Sequence, residues 1–225
     1  MAELLREPLR HLFLQLVEKN YSSIGLRDAY LTHYVAGMLE EFASTRQLYR
    51  LRSAAGKPLE TVAEMLSSSN PISSSGGNAH GDAGEAGSRE REVRQHVGDF
   101  ALFFTGMFPE SLNRSRRRHA LLLGANYFAD TLLDYVAAGK ESYRMVSDYE
   151  RSQATEPSRQ AAEAGGCTER QETRGSGPYA GVLFAMLASE FERCMHGLNC
   201  LKSELESFQD PIYMEARKIM GGDLA

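Results

Sequence analysis

No apolar run in this 225-residue chain reaches the ~18 residues of a membrane span, so a spanning helix is not expected. An excess of basic charge is lacking too. The 25 Lys and Arg against 30 Asp and Glu leave a formal net charge of −5, which gives no electrostatic case for nucleic acid or for an anionic membrane surface. Cysteine is scarce and odd in number: Cys167, Cys194 and Cys200. The last two fall on different faces of one predicted helix and cannot bridge each other there, so reduced thiols in a cytoplasmic protein are the expectation. Residues 1–10 mix Glu3, Arg6, Glu7 and Arg10 among leucines and lack the basic-then-apolar order of a secretory signal. Alternating β-branched runs are missing as well, and only residues 46–52 (RQLYRLR) read as a short candidate for extended chain.

Catalytic and cofactor signatures are equally sparse. The chain has no Gly-x-Ser-x-Gly, no paired-cysteine zinc pattern and no nucleotide-binding glycine fingerprint. No Glu is followed three residues on by His, the pair that di-iron helical bundles require. Asp130 and Asp134 form a D-x-x-x-D similar to the magnesium–diphosphate motif of all-helical prenyl-transferring enzymes. No second acidic pair faces them, and both project opposite the apolar stripe. No metal site is therefore expected, and no cofactor is specified.

What the chain does have is helical periodicity. Ala180, Phe184, Leu187, Phe191, Cys194, Leu198, Leu201, Leu205 and Phe208 keep an unbroken 4-3-4-3 spacing, which predicts one long amphipathic helix from Pro178. Similar stripes predict helices from Pro8, from near Asp28, after Pro58, from a Ser88 cap to Pro109, from Pro109 to about Glu150, and from Pro211 to Met220. Residues 67–88 and 152–177 hold almost no large apolar side chains and read as flexible loop insertions. The expected architecture is all-α: a single helical domain over residues 1–225, a bundle of about five to seven helices with two long low-complexity loops.

Few polar residues are out of place in this pattern. His96 and Asp99 sit one turn apart on the flank of the stripe, just before the apolar run from Phe100 to Phe108. A histidine and a carboxylate against aromatics can orient an imidazole for metal binding or proton transfer, or can simply satisfy each other or the backbone. If the helices before and after Pro109 run antiparallel, Asp99 lies level with Arg118 in the cluster Arg114, Arg116, Arg117, Arg118 and His119. Positive charge in early helix turns opposes the macrodipole and calls for an anionic partner, whether Asp99, Glu110 or a bound anion. His11, His33, His119 and His196 each read as solvent-facing or edge residues, and Cys194 as a small core hydrophobe.

Two readings follow. The favoured one is a non-catalytic soluble helical protein, a scaffold, regulator or partner-binding module that pairs with itself or with another helical protein. The alternative is a small-molecule or metal-binding bundle, enzymatic or not, with a site around His96 and Asp99 that draws on Arg117, Arg118 and His119.

Overall fold

The computed structural model describes residues 6–53, 55–69, 83–109, 131–155, 175 and 177–208. Among them are eight helices: α1 (Arg6–Ser23), α2 (Ala29–Phe42), α3 (Thr45–Leu48), α4 (Val62–Ser69), α5 (Ala83–Met107), α6 (Thr131–Thr155), α7 (Ala180–Ser189) and α8 (Phe191–Phe208). The fold is all-α, and the described residues contain no strand, only an isolated bridge between Arg52 and Pro58. No described helix is long and apolar enough to cross a membrane.

Local sequence explains where the helices begin and end. Asp28 caps α2, its side chain accepting from the Leu31 N–H at 2.8 Å. The end of α1 is a Schellman turn: the Leu26 N–H donates to the Tyr21 carbonyl and the Gly25 N–H to the Ser22 carbonyl. Gly25 supplies the left-handed φ of 80° that this turn demands. Helix α5 stops at Met107, two residues before Pro109, as a proline requires.

Three expectations are corrected. The stretch at 46–52 is helical in its first three residues, because Thr45–Leu48 closes a single turn that buries Leu48, and only its end, at Arg52, joins the isolated bridge to Pro58. Ser88 does not cap the central helix. The helix begins at Ala83, and together with Ser67–Ser69 at the end of α4 this makes both ends of the 67–88 segment helical. The C-terminal seam is two helices, broken at Glu190 (φ −100°, ψ 17°). The seam survives because Glu190 N–H still bonds the Met186 carbonyl and Cys194 N–H the Glu190 carbonyl, at 2.8 Å each. Register is therefore kept, and every seam residue from Ala180 to Leu205 is buried. The predicted helix at 211–220, most of both insertions and the first half of the 109–150 helix lie outside the described residues.

Buried apolar residues from α1 through α8 form one contiguous cluster. Helix α5 runs through its middle, packing on α4, α6 and α8, while α1 packs on α2 and α8, and α7 on α6. Val97, Phe100, Ala101, Leu102 and Phe103 are all buried, so this stretch is enclosed on every side. Helices α5 and α6 are antiparallel: Gly87 approaches Tyr149, Gly98 approaches Tyr143, and Gly139 approaches Ala101.

Candidate functional site

The polar residues of α5 sit inside the core, not on its flank. His96 and Asp99 are both 0% exposed. Asp99 Oδ1 accepts hydrogen bonds from the Tyr34 hydroxyl of α2 at 2.7 Å and from the Tyr143 hydroxyl of α6 at 2.9 Å. One carboxylate oxygen thus joins three helices. Tyr143 reaches it because position 98 is glycine. A Cβ there would lie 2.6 Å from the Tyr143 ring, so the ring rests directly on the α5 backbone.

The network continues outward along α5. Gln95 Nε2 donates to the Tyr34 hydroxyl at 3.0 Å, and Arg91 Nη1 donates to Gln95 Oε1 at 2.8 Å. Arg91 Nε pairs with Glu150 of α6 at 2.6 Å, and its Nη2 donates to the Gly175 carbonyl at 2.9 Å. The guanidinium also lies over the Phe184 ring, 5.8 Å from its centroid. The chain of contacts from Glu150 through Arg91, Gln95 and Tyr34 to Asp99 ties α2, α5, α6 and the approach to α7 together. Each member is a strong donor or acceptor that would be costly to bury alone.

His96 takes a different role. Its Nε2 stands 3.1 Å from the Leu48 carbonyl at the end of α3. A carbonyl only accepts, so Nε2 carries the hydrogen, and α5 is joined to α3. The imidazole meets Phe42 edge to face at a centroid distance of 5.5 Å and Phe100 at 6.3 Å. These contacts are with the backbone and with aromatics, as for a histidine used in packing.

Of the residues singled out from sequence, the structure brings His96 and Asp99 into the core one turn apart and gives them separate partners. Arg117, Arg118 and His119 lie outside the described residues. Sequence reasoning missed Tyr34, Tyr143, Gln95, Arg91 and Glu150 as members of the network. A signal was present: Tyr34 and Tyr143 occupy seam positions where Phe would pack equally well, and a buried phenol needs a hydrogen-bond partner. No group of three or more His, Cys, Asp or Glu among the described residues is placed to hold a metal ion. An open groove of about 250 Å³ between α6 and α7 is lined by Arg144, Ser147, Asp148, Arg151, Ala185, Ala188 and Ser189, and so by neither His96 nor Asp99.

Chemically, an enclosed carboxylate receiving two phenolic hydrogens orients side chains and fixes helix register. No known protein family, characterised protein or solved structure matches the chain significantly.

Proposed function

We propose that the chain is a non-catalytic helical protein, a scaffold, regulator or partner-binding module that acts through its surface. The observation that carries this reading is the enclosure of Asp99, which has no exposed surface and gives its Oδ1 to hydroxyls from two other helices. A group so placed holds helices together and would meet a ligand only if the core opened. The candidate partner surface lies where α2 and α7 begin. Tyr30 and Tyr179 are 60% and 57% exposed, with ring centroids 5.2 Å apart, and Val182, in the first turn of α7 after Tyr179, is 57% exposed. Tyrosine is enriched at protein interfaces, and a second copy or another helical protein is the partner this surface suits. The net charge of −5 argues against nucleic acid.

Thermal unfolding of Asp99→Ala tests the reading. Stranding two buried hydroxyls should cost about 2–5 kcal/mol, which in a chain of this size lowers the melting temperature by roughly 5–15 °C. An unchanged melting temperature, with a chromophore or metal ion present in the purified wild type and lost from the variant, would instead support a ligand site at His96, Asp99, Arg117, Arg118 and His119.

A further inference from the structure

The connection between α3 and α4 departs from the charge balance of the rest of the chain. From Ala43 to Leu59 it holds Arg46, Arg50, Arg52 and Lys57 and no acid. A stretch of +4 in a chain of net −5 leaves −9 for the remaining residues. All four cationic side chains are exposed, and none has an ion pair among the described residues. The acids that flank the stretch are turned elsewhere. Upstream, Glu40 lies 3.9 Å from Arg10. Downstream, Glu64 faces the start of α4, accepting from the Glu60 and Thr61 N–H groups at 3.0 and 3.2 Å.

The backbone that carries these cations is fixed. Leu48 and Leu59 are buried, the Leu48 carbonyl meets His96 Nε2, and the Tyr49 ring lies 6.1 Å from that of Phe100. Between these anchors the chain folds back as a short hairpin. The Leu59 N–H donates to the Leu51 carbonyl at 3.0 Å, and the Ser53 N–H to the Lys57 carbonyl at 2.9 Å. Leu51 packs on the core, so alternation along the strand turns Arg50 and Arg52 to the other face. The same pattern leaves an edge open. In an antiparallel ladder, a residue whose two neighbours bond inward points its own N–H and C=O outward. That residue is Arg52, and neither of its backbone groups makes a hydrogen bond among the described residues. Its guanidinium braces the turn, with Nη1 donating to the Gly56 carbonyl at 3.1 Å.

We propose that this hairpin docks an extended acidic segment of a partner protein, added as a strand along the edge at Arg52. Strand addition supplies main-chain hydrogen bonds to the Arg52 N–H and C=O. Side chains two apart on the added strand share a face at a spacing of about 6.8 Å, so an acid at every second position meets Arg50 and Arg52 in turn. Arginine forks suit carboxylates, which they can bind through two parallel hydrogen bonds. A nucleic acid or an anionic membrane is disfavoured by size. Either extends well beyond the Debye length of about 10 Å and would meet the −9 carried by the rest of the chain, whereas a short acidic segment meets only the hairpin. This surface is separate from the Tyr30–Tyr179 face and does not depend on the role of Asp99.

Fluorescence anisotropy with labelled peptides and the full chain at low salt is the test. A peptide of alternating Glu and Thr should bind. The same residues arranged as a Glu block followed by a Thr block should bind about tenfold more weakly, as should the alternating peptide with N-methylated amides. Arg50→Glu should weaken binding by about tenfold, Arg50→Glu/Arg52→Glu should abolish it, and Arg144→Glu on α6 should leave it unchanged. The Arg50 side chain makes no hydrogen bond or ion pair among the described residues, so circular dichroism should show that single variant folded. Three results would each overturn the proposal: no binding of the alternating peptide to wild type, equal affinity for the two Glu arrangements, or undiminished binding to Arg50→Glu. Tighter binding of an oligodeoxynucleotide or of phosphatidylserine vesicles than of the alternating peptide would overturn it as well.

Discussion

The two halves of α5 reach the same burial by opposite means. From Arg91 to Asp99 the helix sends Arg91, Gln95, His96 and Asp99 inward, and each meets a hydrogen-bond partner on another element. From Phe100 to Met107 it presents aromatics and a glycine, with α8 closing so tightly that a Cβ at Gly106 would lie 2.6 Å from the Leu198 Cβ. The polar half holds α2 off at the length of the Tyr34 side chain, whereas the apolar half lets α8 come into direct backbone approach. Apolar packing contributes free energy with little directional preference. Hydrogen bonds to one buried oxygen say which helices meet and at what register, so the polar half supplies specificity and the apolar half supplies most of the cohesion.

The largest effect that would break this comparison is Asp99→Ala in the polar half, at about 2–5 kcal/mol for two stranded hydroxyls. The apolar half should answer to overpacking instead. Gly106→Ala forces α8 outward at Leu198 and should cost about 1–3 kcal/mol in urea unfolding. A cost below a few tenths would show that the close approach matters little. Tyr34→Phe and Tyr143→Phe should each lose about 1–2 kcal/mol, and because both donate to the same Asp99 oxygen their effects should not add. Strict additivity would mean that the two phenols act independently.

The smallest effect lies at the periphery, between α1 and α8. Glu204 accepts from Lys19 Nζ at 2.6 Å and from Asn20 Nδ2 at 3.0 Å. The hydrogen bond from Lys19, with a smaller one from Asn20, holds the Glu204 carboxyl below its ordinary value of 4.5. A depressed carboxyl stabilises the fold fully above that value and loses its contribution as the pH falls through the lowered one. Melting temperature should therefore fall less steeply with acid in Lys19→Met than in wild type. Identical slopes below pH 4.5 would remove Lys19 from the account.

How far the sequence was legible follows the same division. The apolar half of α5 and the seam from Ala180 to Leu205 could be read directly, because burial repeats with the helix period and needs only one chain's worth of information. The break at Glu190 could not, since a single residue off helical dihedrals leaves the spacing intact. His96 and Asp99 were visible as polar residues near an apolar run, yet their depth was misjudged as flank. Depth here depends on Tyr34 and Tyr143, donors that are 65 and 44 residues distant along the chain, and on Gly98, whose missing side chain admits the Tyr143 ring. Such pairings are decided by tertiary contact and leave no local spacing. Helix starts behaved likewise: the start near Asp28 was legible, and the structure shows that residue as the cap, its side chain accepting from a donor three residues on. Ser88 was misread because α5 begins at Ala83, ahead of it, and Ser88 lies inside the helix.

The account rests on Asp99 as a structural junction, and the most direct test compares urea unfolding of wild type, Asp99→Ala and the triple variant Tyr34→Phe/Asp99→Leu/Tyr143→Phe. Leucine keeps the forked shape of the carboxylate, and removing both hydroxyls leaves no stranded donor at Oδ1. Replacing a buried acceptor together with its two donors by apolar groups of similar shape costs less than removing the acceptor alone, although Gln95 Nε2 then loses the Tyr34 hydroxyl as acceptor. The account predicts a clear loss in Asp99→Ala and recovery of part of that loss in the triple variant, the remainder being the acceptor lost to Gln95. A wild-type midpoint for Asp99→Ala, or a triple variant weaker than the single one, would contradict it.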